Sequence, residues 1–166
     1  MPIAAIQLYD IVLFVHVSAA LAAFGVLFAY PAMALIAERG ERRSLPYLYG
    51  VQSWLGSHVI TPAMTVLLLA GLYLVADSDL WSFSEAWIGA SFTIVIVLFG
   101  LEGAFFGPLG RRLVALARAD VEAAGDGEVA LSPEHERLAL RAARVRQLVT
   151  LLALVALFLM VVKPGT

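Results

Sequence analysis

The chain has 166 residues, of which 61% are hydrophobic and 14% charged, with a mean hydropathy of +0.90. That apolar share exceeds the roughly 45–50% typical of soluble domains, which excludes a water-soluble globule with a continuous polar shell. Cysteine is absent, removing disulfides, thiolate metal sites and thiol catalysis, and the formal net charge of −2 says less than the placement of charge along the chain.

A bilayer core takes roughly 20 apolar residues in helical form. Helices are required, because each unpaired backbone group in hydrocarbon costs several kcal/mol. Four windows meet the length, near 8–36, 52–76, 86–107 and 144–163. The opening MPIAAIQLYD carries no Lys or Arg, so it lacks the basic start of a signal peptide and is expected to be retained.

The first window holds His16 about 5 Å to the outer side of its middle, with Ala19, Ala20 and Ala23 on the same helical face. This stripe leaves room for a neighbouring backbone or a flat cofactor. Imidazole is a normal axial ligand of haem iron, and bundles hold such groups between facing helices. A hydrogen-bonded packing histidine is the other reading. Arg39, Arg42 and Arg43 follow.

In the second window, Pro62 cannot donate to the carbonyl of His58, which predicts a kink there, and His58, Thr61 and Thr65 share a face. The segment from Asp77 to Glu85 has three acidic residues and no base. The third window carries Glu102 and the small-residue motif Gly103–Gly107, a pattern of close helix packing. His58 and Glu102 fall roughly 7–10 Å to the cytoplasmic side of the midplane, with Arg146 and Gln147 slightly nearer the cytoplasm. The four are expected to form one polar cluster, either functional or a set of mutual interhelical hydrogen bonds. His16 and His58 come out about 15 Å apart along the membrane normal, which disfavours one haem clamped between them.

Residues 108–143 read as a helical hairpin. The third helix kinks at Gly107–Pro108 and continues, Gly125–Gly127 turns the chain, and Ser132–Pro133–Glu134 starts the next helix with Ser as N-cap. His135, in that first turn, is expected to be solvated. Arg111, Arg112, Arg118, Arg137, Arg141, Arg144 and Arg146 concentrate here. By the positive-inside rule both Arg-bearing connections are cytoplasmic and both termini extracytoplasmic. Tyr9, Tyr73, Trp81 and Trp87 then mark the outer interface, and Tyr30, Tyr47, Tyr49 and Trp54 the inner one. Asp10 and Lys163 meet near the outer interface, as a pair or with the lysine snorkelling.

The expected fold is all-α: a single integral membrane domain over 1–166, a four-helix transmembrane bundle running up-down-up-down, with a cytoplasmic hairpin between helices 3 and 4. Phosphate loops, nucleophile elbows and paired-histidine metalloprotease motifs are absent, and the three histidines fit no compact zinc site. No protein metal site and no nucleic-acid partner are expected, since topology explains the arginines.

Four stretches carry a resemblance: LFVHVSAALAAFG, TPAMTVLLLAGLYLV, GPLGRRL and LMVVKP. On them the chain resembles an uncharacterised bacterial family of four-helix integral membrane proteins, a domain of unknown function. It is more distantly similar to the copper-resistance protein D membrane domain and the J-type protoporphyrinogen oxidase. The latter likeness implies haem b and electron transfer from a porphyrinogen, and carries over His16 alone, as a candidate ligand. Three functions are therefore expected to compete in a bacterial plasma membrane. The first is a haem-binding, redox-linked bundle, an oxidoreductase or electron-transfer module. The second is a small metal-ion or proton transporter using Glu102 and His58. The third is an assembly subunit binding a second copy or a membrane-complex partner.

Overall fold

The computed structural model describes residues 7–165, without the side chains of Ala34, Ala37, Glu38 and Arg39. The expectations for residues 1–6 and for the Arg39 side chain thus lie outside the described residues. Those residues form four long helical runs and no strand. The first is α1 (Leu8–Arg39). The second follows a 3₁₀ turn, Arg42–Ser44, and joins α2 (Leu45–Leu55) to α3 (Thr61–Ala76). The third joins α4 (Ala86–Gly100) to α5 (Gly107–Ala124), and the fourth is α6 (Pro133–Val162). Each run is long and apolar enough to cross a membrane.

Local chemistry accounts for the ends. Gln7 caps α1, its amide donating to Asp10 Oδ2 at 3.0 Å, which satisfies one of the orphan donors of the first turn. α2 starts at Leu45, earlier than position 52, with Pro46 in the first turn, where a missing N–H costs nothing. α5 stops at Gly125, whose φ of 51° favours glycine. Ser132 precedes α6 as expected, but its hydroxyl caps no amide; its own N–H donates to Asp120 Oδ2 at 3.2 Å.

The runs are interrupted in two places by wider turns. Gly56–Ile60, between α2 and α3, and Leu101–Phe106, between α4 and α5, are π-helical. In the first, the Thr61 amide donates to the Gly56 carbonyl; in the second, the Gly107 amide donates to the Glu102 carbonyl. Both acceptors sit six positions before a proline, Pro62 and Pro108. A proline cannot continue the i→i−4 ladder and clashes with the carbonyl it should bond, and the wide turn relieves both problems.

α3 packs along α1, α5 along α2 and α6 along α4. The core between them is apolar, with Ala23, Phe24, Leu27, Met64, Leu67, Leu98 and Ala153 buried. The outward faces are apolar as well: Phe14 is 72% exposed, Leu21 71% and Val161 79%. At about 25 cal/mol per Å² such surface is unfavourable in water and neutral in lipid.

Beyond the core, side chains lock the Arg-rich end. Arg43 Nη2 donates to the Gly125 and Gly127 carbonyls, each at 2.6 Å, and Arg42 Nη1 to the Val129 carbonyl at 3.1 Å. Arg112 pairs with Glu134. His135, expected in solvent, is wholly buried: Nδ1 lies 2.7 Å from Asp120 Oδ2 and Nε2 3.2 Å from the Tyr49 hydroxyl. One imidazole therefore ties α6 to α5 and α2.

Candidate functional site

Two cavities with no lining residue in common are recessed into the bundle. The first, of about 480 Å³, is largely apolar and is walled by α1, α3, α4 and α6. His16 stands on its wall, with Nδ1 3.0 Å from the Leu67 carbonyl oxygen. A carbonyl only accepts, so Nδ1 carries the proton and Nε2 keeps its lone pair. Gly71 makes this approach possible, because a Cβ there would stand 3.1 Å from His16 Cε1. Of the alanines expected to flank His16, Ala19 and Ala23 are buried in the core and Ala20 lines the cavity.

Aromatic groups close one end of this cavity. Trp81 and Trp87 meet edge to face at 5.5 Å, and Lys163 Nζ lies 4.5 Å over the Trp81 ring. Lys163 reaches them from a left-handed backbone position, φ 48°, just past α6. Asp10 accepts the Gln7 amide at the start of α1, while Lys163 lies over the Trp81 ring.

The second cavity, of about 390 Å³, is lined by polar groups at the level of both π turns. Glu102 and Arg146 both face it, together with Tyr30, Tyr49, Gln52 and Thr61. Glu102 is 9% exposed, and among the described residues its carboxylate makes no hydrogen bond or ion pair. Gly56 abuts it so closely that a Cβ would collide with Glu102 Oε1. The Arg146 guanidinium lies 4.0 Å from the Tyr30 ring centroid and 4.6 Å from that of Phe106, a cation–π seat that supports a charge away from water. The Tyr30 hydroxyl donates to the Gln52 carbonyl at 3.0 Å.

The expected cluster of four is thus only half assembled. His58 is exposed on the outside of the π turn, stacked on Trp54 at 4.8 Å with Nδ1 3.1 Å from the Trp54 carbonyl. Gln147 is also exposed and outside the cavity lining. The physical reason for His58 is that depth alone grouped it with Glu102, and depth does not fix the direction of a side chain; the π turn also shifts the face it shares with Thr61. Tyr30 and Tyr49, expected as interface markers, line the cavity instead, and Tyr30 is 1% exposed. Gly103 and Gly107 also line it rather than packing helix on helix, and nothing lies within 4 Å of a Cβ built at Gly103.

Between the two cavities the spans contribute a dry layer: Met64 and Ala153 are fully buried, and Leu98 and Val149 are 2% exposed. Among the described residues no group of three or more His, Cys, Asp or Glu could hold a metal ion. Neither a curated protein nor a solved structure matches this chain. Residues 10–164 match the sequence model of the family described as predicted integral membrane protein (DUF2269), and the chain belongs to that family.

Proposed function

We propose that this membrane protein is a haem-associated, redox-linked bundle in which His16 would hold haem b. One observation carries the reading: the Nδ1–H of His16 is spent on the Leu67 carbonyl at the wall of a large apolar cavity. Metal-ligating histidines characteristically donate their other N–H to a carbonyl or carboxylate, which fixes tautomer and ring orientation. The residues present fit such a group, since the walls are apolar and aromatic and Gly71 holds the imidazole against α3. When bound, haem b would supply one-electron transfer, tuned by its ligand and by burial. His16 would hold the iron, the apolar walls would exclude water, and Trp81 and Lys163 would close the end at the interface. His58 is tied to Trp54 and takes no part. The distant likeness to the copper-resistance protein D domain and the J-type protoporphyrinogen oxidase belongs to this proposal.

The same reading sets the bundle up-down-up-down in a bacterial plasma membrane, with both termini extracytoplasmic and residues 108–143 as a cytoplasmic hairpin. The uneven placement of Arg supports it. The test is the absorption spectrum of protein purified from haem-replete cells: a Soret band is expected in the parent and in His58→Ala, and its loss in His16→Ala. A colourless parent would overturn the proposal.

The buried Glu102 favours a second reading, permeation of a proton or metal ion. It requires the layer of Met64, Leu98 and Ala153 to open. Glu102-dependent flux into liposomes without any chromophore would support it over the first.

A further inference from the structure

We propose that the polar cavity binds a small zwitterion, one that carries a primary ammonium and an anionic oxyacid group. This inference is independent of the haem reading, because the two cavities are separate. Glu102 is nine-tenths buried, touches the cavity and has no hydrogen-bond or ion-pair partner among the described residues. Arg146 faces the same space, and no hydrogen bond from it to a carboxylate or carbonyl is formed among the described residues. Its guanidinium lies over the Tyr30 and Phe106 rings and hydrogen-bonds the Tyr30 side chain, and the N–H groups that remain can take an anion.

Two opposite charges that face one cavity without touching are not a structural salt bridge. Burial of each is costly unless a partner offsets it, and for Arg146 the two rings and the Tyr30 side chain offset part of that cost. A ligand bearing both charges satisfies both at once.

The remaining polar walls agree. His135 Nδ1 lies against Asp120 Oδ2, and its Nε2 meets the Tyr49 hydroxyl. The Tyr30 hydroxyl donates to the Gln52 carbonyl. The phenol oxygens of Tyr30 and Tyr49 add polar surface to the cavity wall. Exposed Arg111 lines the same cavity and adds a second positive charge for the anionic end. The volume of about 390 Å³ is many times the roughly 30 Å³ share of one water molecule. Glycine at position 56 leaves room for the Glu102 carboxylate, which a Cβ there would displace.

Such a zwitterion could be a phospholipid headgroup or a free amino acid, and the experiment separates the two. Full-length protein in detergent is titrated calorimetrically with phosphoethanolamine and, separately, with glycine. Native mass spectrometry of protein from phosphatidylethanolamine and phosphatidylglycerol nanodiscs runs in parallel. Binding of phosphoethanolamine with selective retention of phosphatidylethanolamine supports the site and assigns the lipid; binding of glycine without lipid retention supports it and assigns the free amino acid. Glu102→Gln, which keeps shape and removes charge, should weaken whichever probe binds by at least about tenfold. Arg146→Lys, which keeps charge and removes the fork, should also weaken it. If neither probe binds, or if binding survives unchanged in both variants, the proposal fails. The Soret band is unaffected by any of these outcomes, so the two readings stand or fall separately.

Discussion

A methyl group at Gly56 would collide with Glu102 Oε1, so Gly56→Ala should force the carboxylate aside and cost about 1 kcal/mol, the low end for an overpacked contact, because the atom displaced is the end of a flexible side chain. Urea unfolding in mild detergent would measure this. Made in a Glu102→Ala background, the same substitution should cost markedly less, and an equal cost in both backgrounds would mean that Gly56 serves some other contact. This residue shows what was hidden at its scale. Glu102 and Arg146 could be picked out from sequence because a charge in an apolar window is costly and therefore rare. Gly56 could not, because its meaning lies in a side chain from another span. His135 was hidden for the same reason. It sits among charged residues that look solvated, and only the packing of α5 and α6 brings Asp120 against it.

At the scale of elements, the four runs and the helix start at Ser132–Pro133 were legible from apolar length, proline placement and acidic first turns. The π turns were half legible. Pro62 and Pro108 announced an interruption, but a kink and a wide turn share that signal, and only the wide turn changes the count of faces. The expected face shared by His58, Thr61 and Thr65 crosses that turn, where one extra residue amounts to about 100° of rotation. A π turn absorbs its additional residue locally, so deleting Val59 together with Pro62→Ala should close Gly56–Ile60 into an α-helical turn and leave α2 on α5 and α3 on α1. That variant should keep its helical circular dichroism and elute as a monodisperse peak. Deleting Leu68 from the middle of α3 rotates everything beyond it by the same angle and should give aggregated or degraded protein. Similar behaviour of the two deletions would mean that the wide turn is not a local insertion.

At the scale of the molecule, depth along the membrane was readable from residue number, but azimuth was not. Counting 1.5 Å per residue separated His16 from Glu102 along the bundle axis, and the structure places them on two different cavities. No such count could show that Gln147 points away while Arg146, one residue earlier, points in. Orientation decides which compartment each cavity meets, and the absence of cysteine makes it directly measurable. Single cysteines at Ser84, between α3 and α4, and at Asp126, between α5 and α6, would both be exposed on the protein. In intact spheroplasts a membrane-impermeant maleimide should label Ser84→Cys and leave Asp126→Cys unmodified until the membrane is opened. The reverse pattern would put the Arg-rich end outside, against the electrostatic bias that retains Lys and Arg in the cytoplasm. It would also exchange the compartments of the two sites, so that the Glu102 cavity drew its ligand from the extracytoplasmic side and His16 lay nearer the cytoplasm.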